Sequence, residues 1–158
     1  MRTSNRRARA TLAIVAVTLS VLGVVGPIAA ATPQNVTLVS STIFNPDGPN
    51  YGTFVATGDA VDQGLICATG SFVDTFLAFA GYENGKSVQI TVGKTYTCPD
   101  GTFFVKMQIH ANFDGTEVFT WIVLGGTGAY TDLRGSGQGS TVPNSVGNVN
   151  TFVGLLLH

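Results

Sequence analysis

Two cysteines, Cys67 and Cys98, carry the most definite chemistry in this 158-residue chain. An even pair outside any C-x-x-C spacing reads as one structural disulfide in an exported protein, where free thiols are oxidised. Two free buried thiols are the other reading. Across a loop of this length the chain-entropy model assigns a bridge roughly 3 to 4 kcal/mol. His110 stands alone on a strand, and His158 is the last residue, so no metal site is expected from them. On a half-wet face His110 suits a surface or hydrogen-bonded role better than that of a catalytic base. Asp59, Asp62 and Asp74 could pair as acid and base, although a turn or a solvated edge explains Asp59 and Asp62 equally well. Arg134 could clamp a carboxylate, and a structural salt bridge is the expected role. Gly125-Gly126-Thr127-Gly128 is followed by neither a helix nor Lys-Ser/Thr, which excludes a phosphate loop and a dinucleotide fingerprint. Asn144-Ser145-Val146-Gly147 has Pro143 where a nucleophile elbow needs its first glycine. These residues support no catalytic assignment, no metal and no cofactor.

The N-terminal residues have a different job. Arg2, Arg6, Arg7 and Arg9 precede an apolar run from Ala10 to Val25, which Gly26 and Pro27 break before the small residues Ala29, Ala30 and Ala31. That order is a signal peptide over residues 1–31, with cleavage after Ala31 and a secreted domain over residues 32–158. The run is shorter than the ~20 apolar residues a membrane span prefers, so an anchor fits less well. Arg6-Arg7 hints at twin-arginine export, but Ala8, Arg9 and Ala10 follow in place of a bulky apolar pair, so the ordinary secretory route fits better.

Past residue 31 the cations are Lys86, Lys94, Lys106 and Arg134, four against the chain's nine carboxylates, a net of −5. A sparsely charged, mildly acidic surface has nothing to neutralise phosphates, which argues against nucleic acid or an anionic membrane as partner.

The elements that must position these residues are strands. Asn84-Gly85, Asp100-Gly101, Asp114-Gly115, Gly125 to Gly128 and Pro143-Asn144 punctuate the chain about one strand apart, and Asn-Gly and Asp-Gly supply the positive φ of tight hairpins. Between them, β-branched and aromatic residues predict strands over Lys86 to Cys98, Thr102 to Ala111, Thr116 to Leu124 and Val146 to Leu157. Earlier strands are expected over Asn35 to Ile43, Gly52 to Thr57, Gln63 to Thr69 and Ser71 to Ala80, with a glycine-rich one over Tyr130 to Gly139. No segment after the leader sustains a helical period, although Val73 to Ala80 is apolar enough to be ambiguous. Eight or nine strands allow a sandwich or a barrel. Trp121 lies after both cysteines, unlike an immunoglobulin core, and successive hairpins favour an up-and-down path. The expectation is an all-β, antiparallel, closed barrel, whose closure removes exposed edges.

Alternation then sorts the faces. Phe103, Val105, Met107 and Ile109 form the most continuous apolar face, opposite Phe104, Lys106, Gln108 and His110. These four are the expected lumen residues and the expected lining for an apolar small molecule. In the next strand Trp121 and Ile122 point to opposite faces and both are apolar. An apolar outer face needs a cover, for which another copy of the chain is the simplest candidate.

The stretch Val123-Leu124-Gly125-Gly126-Thr127-Gly128-Ala129-Tyr130-Thr131-Asp132-Leu133-Arg134-Gly135-Ser136-Gly137 resembles the glycine-rich segment of the allene oxide cyclase-like barrels, a superfamily that includes plant dirigent proteins. It is similar above all to small exported bacterial proteins of that barrel. Gly52-Thr53-Phe54, Asp62-Gln63-Gly64 with Cys67 after it, and Thr97-Cys98-Pro99-Asp100-Gly101 match the same layout over roughly residues 50 to 157. The resemblance implies an eight-stranded antiparallel barrel, often trimeric, with a lumen able to hold an apolar small molecule. It transfers no reaction, because the polar lumen groups of the plant proteins have no secure counterparts here. Two functions remain open: a non-catalytic exported barrel binding an apolar molecule or a protein, and an isomerase-like or dirigent-like protein acting on a lipid or phenolic intermediate. A polar cluster in a dry lumen would favour the second, and a lumen filled by Phe, Met and Leu a structural barrel.

Overall fold

A computed structural model describes residues 32–83, 87–112 and 117–158. The expected leader over residues 1–31 and the turns Asn84-Gly85 and Asp114-Gly115 lie outside the described residues.

Eight strands follow one another: β1 (Gln34–Ile43), β2 (Tyr51–Thr57), β3 (Thr69–Glu83), β4 (Ser87–Cys98), β5 (Gly101–Asn112), β6 (Glu117–Gly126), β7 (Arg134–Pro143) and β8 (Gly147–Leu157). Each pairs antiparallel with the next, and β8 returns to β1, closing an up-and-down barrel. The antiparallel barrel expected from the hairpin spacing is the observed fold. Every strand has a partner on both sides, so no long edge is left to template aggregation.

Two short helical pieces interrupt the strands. A single helical turn, α1 (Asp59–Asp62), follows β2, and a 3₁₀ turn occupies Gly128–Tyr130. The strand expected over Gln63 to Thr69 is absent. Its residues leave α1 as a loop in which the Leu65 amide donates to Ala60 O at 2.8 Å, and Gly64 takes φ +72°. Buried Ala60 and Ile66 pack on the core there, so the apolar residues that suggested a strand instead plug one end of the barrel. The glycine-rich strand is also shifted, running from Arg134 rather than Tyr130, because Tyr130 and Leu133 are buried in the turn before it.

The disulfide joins Cys67 to Cys98 with their Cα atoms 6.0 Å apart. It ties the plugging loop to the end of β4.

At the plugged end the lumen is solid. Tyr96 stacks on Phe103 at 4.9 Å, Phe54 meets Tyr96 edge-on at 5.1 Å, and Phe119 packs on Phe152 at 4.8 Å. Such aromatic pairs each add about 0.5–1.5 kcal/mol beyond area burial. The alternating glycines of β7 make room for them: a Cβ on Gly137 would lie 2.8 Å from the Trp121 ring, and one on Gly139 2.2 Å from the Phe119 ring. A glycine-rich strand is therefore a packing solution here, not a weak strand.

Candidate functional site

The open end of the barrel differs in chemistry from the plugged end. Lys94 lies on the inward face of β4, opposite Asp74 of β3. The alternation that makes Tyr96, Lys94, Val92 and Ile90 share a face turns the lysine toward the lumen. Its Nζ donates to Asp74 Oδ1 at 2.7 Å, and its side chain is only 3% exposed. Nζ also lies 4.4 Å from the centre of the Phe72 ring, a cation–π contact. The other carboxylate oxygen, Asp74 Oδ2, accepts from Asn50 Nδ2 at 3.2 Å. Burial pushes the Lys94 amine below its ordinary value, against the pull of Asp74, which raises it through charge and hydrogen bond.

A second polar group shares this level. Thr141 Oγ1 donates to Asn150 Oδ1 at 2.9 Å, and Asn150 Nδ2 donates to Thr42 Oγ1 at 3.2 Å and to Asn148 Oδ1 at 3.0 Å. Just below, Tyr96 and Ser40 hydroxyls hydrogen bond at 2.9 Å. Burial pushes the Tyr96 phenol well up, and its bond to Ser40 only partly offsets this. The phenol is therefore neutral and acts as a hydrogen-bonding group rather than a base.

Above this girdle the mouth turns apolar again. A cavity of about 250 Å³ is lined mainly by Leu77, Phe79, Ile90, Ile109, Val92 and Met107, with Glu117 and Asn148 also on its wall and Lys94, Asp74 and Asn150 at its floor. A bulge in β3 decides which residues face it. The register steps from Asp74↔Lys94 to Phe76↔Gly93, leaving Thr75 as an extra residue. Leu77 and Phe79 are thereby turned onto the lumen face beside Val92 and Ile90, where strict alternation from Asp74 would have placed Phe76 and Ala78. Leu77 and Phe79 remain 54% and 67% exposed, an apolar wall without a cover.

The four residues expected to line a binding lumen fall into two regions. Phe103 and Val105 belong to the solid end, where only about 20 Å³ of void remains beside Tyr96, Trp121 and Phe152. Met107 and Ile109 line the open cavity. The apolar face of Phe103 to Ile109 predicts an apolar lumen with few charges, and the charges present are the buried Lys94–Asp74 pair. Alternation alone would have put Lys94 in line with Tyr96 and Val92. The signal was present in the sequence, but a lysine among strand residues reads as solvated until its partner across the sheet is known.

The remaining candidates lie elsewhere. Asp59 accepts a hydrogen bond from the Asn35 amide, and Asp74 pairs with Lys94, so the three aspartates do not gather. Among the described residues Arg134 forms no salt bridge. Its Nη1 donates to the carbonyls of Leu133 at 2.8 Å and Thr131 at 3.4 Å, and the ion pair found among the described residues is Lys94–Asp74. With the carbonyls of a tight turn converging beside it, the guanidinium serves as a local clamp. His110 is exposed and lines a more open concavity of about 450 Å³ with Gln89, Gln108, Thr120 and Gln138. Among the described residues no three His, Cys, Asp or Glu side chains gather as metal ligands.

No family model and no curated protein matches the chain. Among solved structures it is similar to Ail, the attachment invasion locus protein of Yersinia pestis, at 8% identity and a TM-score of 0.19, over 79% of this chain and 95% of that one. The strand register, not that likeness, carries the fold.

Proposed function

We propose that the chain is an exported, non-catalytic barrel of the allene oxide cyclase-like kind that takes one small molecule, an apolar body with a hydrogen-bonding head, into its open mouth. The observation behind this reading is a single cavity in which Leu77, Phe79, Ile90 and Ile109 form the walls and Lys94, Asp74 and Asn150 the floor. Covering apolar surface favours binding by roughly 25 cal/mol per Å². The polar floor orients what enters, because a head that matches it keeps its hydrogen bonds and an alkane end does not. Displacement of a hydrophobic fluorescent probe by a matched set of medium-chain alcohols, ketones and alkanes tests this. Tighter binding of the headed molecules is expected, and failure of every compound to enter would leave a filled, structural barrel.

The same reading has the mature chain outside the cell, not embedded in a membrane, as a homo-oligomer for which the resemblance implies a trimer. Export is supported by the disulfide and by the charged, apolar and small-residue order of residues 1–31. Against a membrane-embedded barrel stands its mixed outer face, where Gln108 and His110 of β5 are exposed and give no continuous apolar band. For association stand the exposed Ile122 and Leu124 of β6 and Val153 and Leu155 of β8, which flank the outer face of β7.

A second reading, isomerase-like or dirigent-like action on a lipid or phenolic intermediate, is favoured by the polar girdle itself, since the buried Lys94–Asp74 pair shares the lumen face of β4 with the buried Tyr96 phenol. Incubation with fatty-acid epoxides or phenoxy radicals, followed by product and stereochemical analysis, separates it from simple binding.

A further inference from the structure

We propose that Lys94 is a covalent, reversible anchoring site for an apolar aldehyde or ketone, which it holds as an imine at the floor of the open cavity. The inference rests on the binding reading above and deepens it by naming the ligand's reactive head.

Three features converge on the amine. First, Lys94 lines the cavity although its side chain is 3% exposed, so what approaches Nζ comes through the mouth, between the apolar walls. Second, the ammonium carries three N–H donors, of which one is taken by Asp74 Oδ1 and another side faces the Phe72 ring. Capacity remains for a carbonyl oxygen arriving from the cavity. Third, Asp74 stands 2.7 Å away and is itself held by Asn50, a placement suited to receiving a proton and then to pairing with a cationic iminium. Burial, which lowers the lysine's proton affinity, makes the free amine more available than on a surface lysine.

The chemistry balances without any redox partner. The ammonium gives a proton to Asp74, and the nitrogen lone pair adds to the carbonyl carbon. The N–C bond forms as the C=O π pair moves to oxygen, which takes up the proton. Asp74 then takes the nitrogen's second proton and passes it to the hydroxyl, which leaves as water while the nitrogen lone pair forms C=N, and the third N–H stays on the iminium that pairs with Asp74. Hydrolysis runs the same steps backward, so the ligand is released intact.

Lys106 provides the internal comparison. It lies on the outer face of β5, opposite Ile122, away from the cavity floor. The test incubates the mature protein with cinnamaldehyde in the presence of cyanoborohydride, which near neutral pH reduces an iminium and spares the aldehyde, and maps adducts by peptide mass. The expected result is one adduct per chain at Lys94, formed about tenfold faster than at Lys106 and suppressed by cinnamyl alcohol, in line with an activated buried amine. Adducts at Lys106 and the chain terminus with Lys94 unmodified would overturn the proposal. Binding of cinnamyl alcohol, measured separately, keeps the two readings apart. If the alcohol binds and Lys94 stays unmodified, the covalent inference fails and the binding reading stands. If neither occurs, both fall. The comparison lies within one wild-type protein, so it does not depend on a Lys94 variant folding.

Discussion

Lys94 and Asp74 are where the chemistry of single residues is most exposed to test. Replacing one member of a buried pair leaves the other uncompensated, which typically costs about 3–5 kcal/mol, whereas replacing both with apolar groups is often close to neutral. Lys94→Met is therefore expected to lower the urea midpoint strongly, and Lys94→Met with Asp74→Leu to recover most of the loss. If the single variant is as stable as the wild type, the pair is solvated and the floor is not dry. The pH dependence has a definite sign. Because the folded-state proton affinity of Lys94 is lowered, the unfolded chain binds more protons between that lowered value and 10.5, and stability from this group rises with pH across that window. The wild type should gain on Lys94→Met as pH is raised toward 10.5 in parallel denaturation series, and a falling difference would contradict the assigned direction. At this scale the sequence was partly legible. The cysteines and the outward run of Phe104, Lys106, Gln108 and His110 could be read from it, whereas the burial of Lys94 could not, because it depends on a carboxylate twenty residues away in the chain.

Among the elements, β3 and the β6–β7 turn show what local pattern can and cannot say. Thr75 is the extra residue of the bulge in β3, so deleting it should give a regular ladder from Asp74↔Lys94 to Phe76↔Gly93 with Leu77 and Phe79 still on the lumen face. The expected outcome is a folded barrel, by circular dichroism, that still takes up a hydrophobic probe, whereas Leu77→Ser with Phe79→Ser should abolish uptake. Retained uptake by that double variant would mean that the mouth wall does not hold the ligand. Nothing in the run Ser71 to Ala80 marks a bulge, since apolar residues occupy both faces. The turn, by contrast, was readable as a turn. Gly126 approaches the partner strand so closely that a Cβ would sit 1.8 Å from Thr102 O, whereas at Gly64, with φ +72°, a Cβ would meet nothing within 4 Å. Gly64→Ala should cost only the left-handed backbone penalty of about 1–2 kcal/mol. Gly126→Ala carries no such backbone penalty but must push β5 and β6 apart, and about 3 kcal/mol or more is expected in thermal or chemical unfolding. Equal effects would show that the turn relaxes freely.

For the whole molecule, closure of eight strands leaves an inside that is full at one end and open at the other, and an outside that is apolar in patches. Ser136 pairs with Ile122 on one side and Leu155 on the other, so the outward apolar residues of β6 and β8 form one face across β7. If that face associates, sedimentation of the mature wild type should report more than one chain, and Ile122→Lys with Leu155→Lys should reduce it to a monomer with unchanged circular dichroism. A wild-type monomer at micromolar concentration would remove the argument for association.

By itself the sequence determined the class of fold and its staple. Turn residues, β-branched runs and two cysteines act locally or through chain entropy, and their meaning survives without knowledge of distant neighbours. It could not distinguish the apolar loop after α1 from a strand, because buried Ile66 and half-buried Leu65 are covered by the end of the barrel and not by a neighbouring strand. Nor could it divide the lumen into a packed aromatic end and an open polar-floored mouth. That division depends on which side chains meet across the closed sheet: Tyr96 with Phe103 and Phe54 at one level, and Lys94 with Asp74 at the next. Alternation specifies a face, but only closure with a bulge in β3 specifies what that face meets, and so where a ligand's apolar body and polar head could lie.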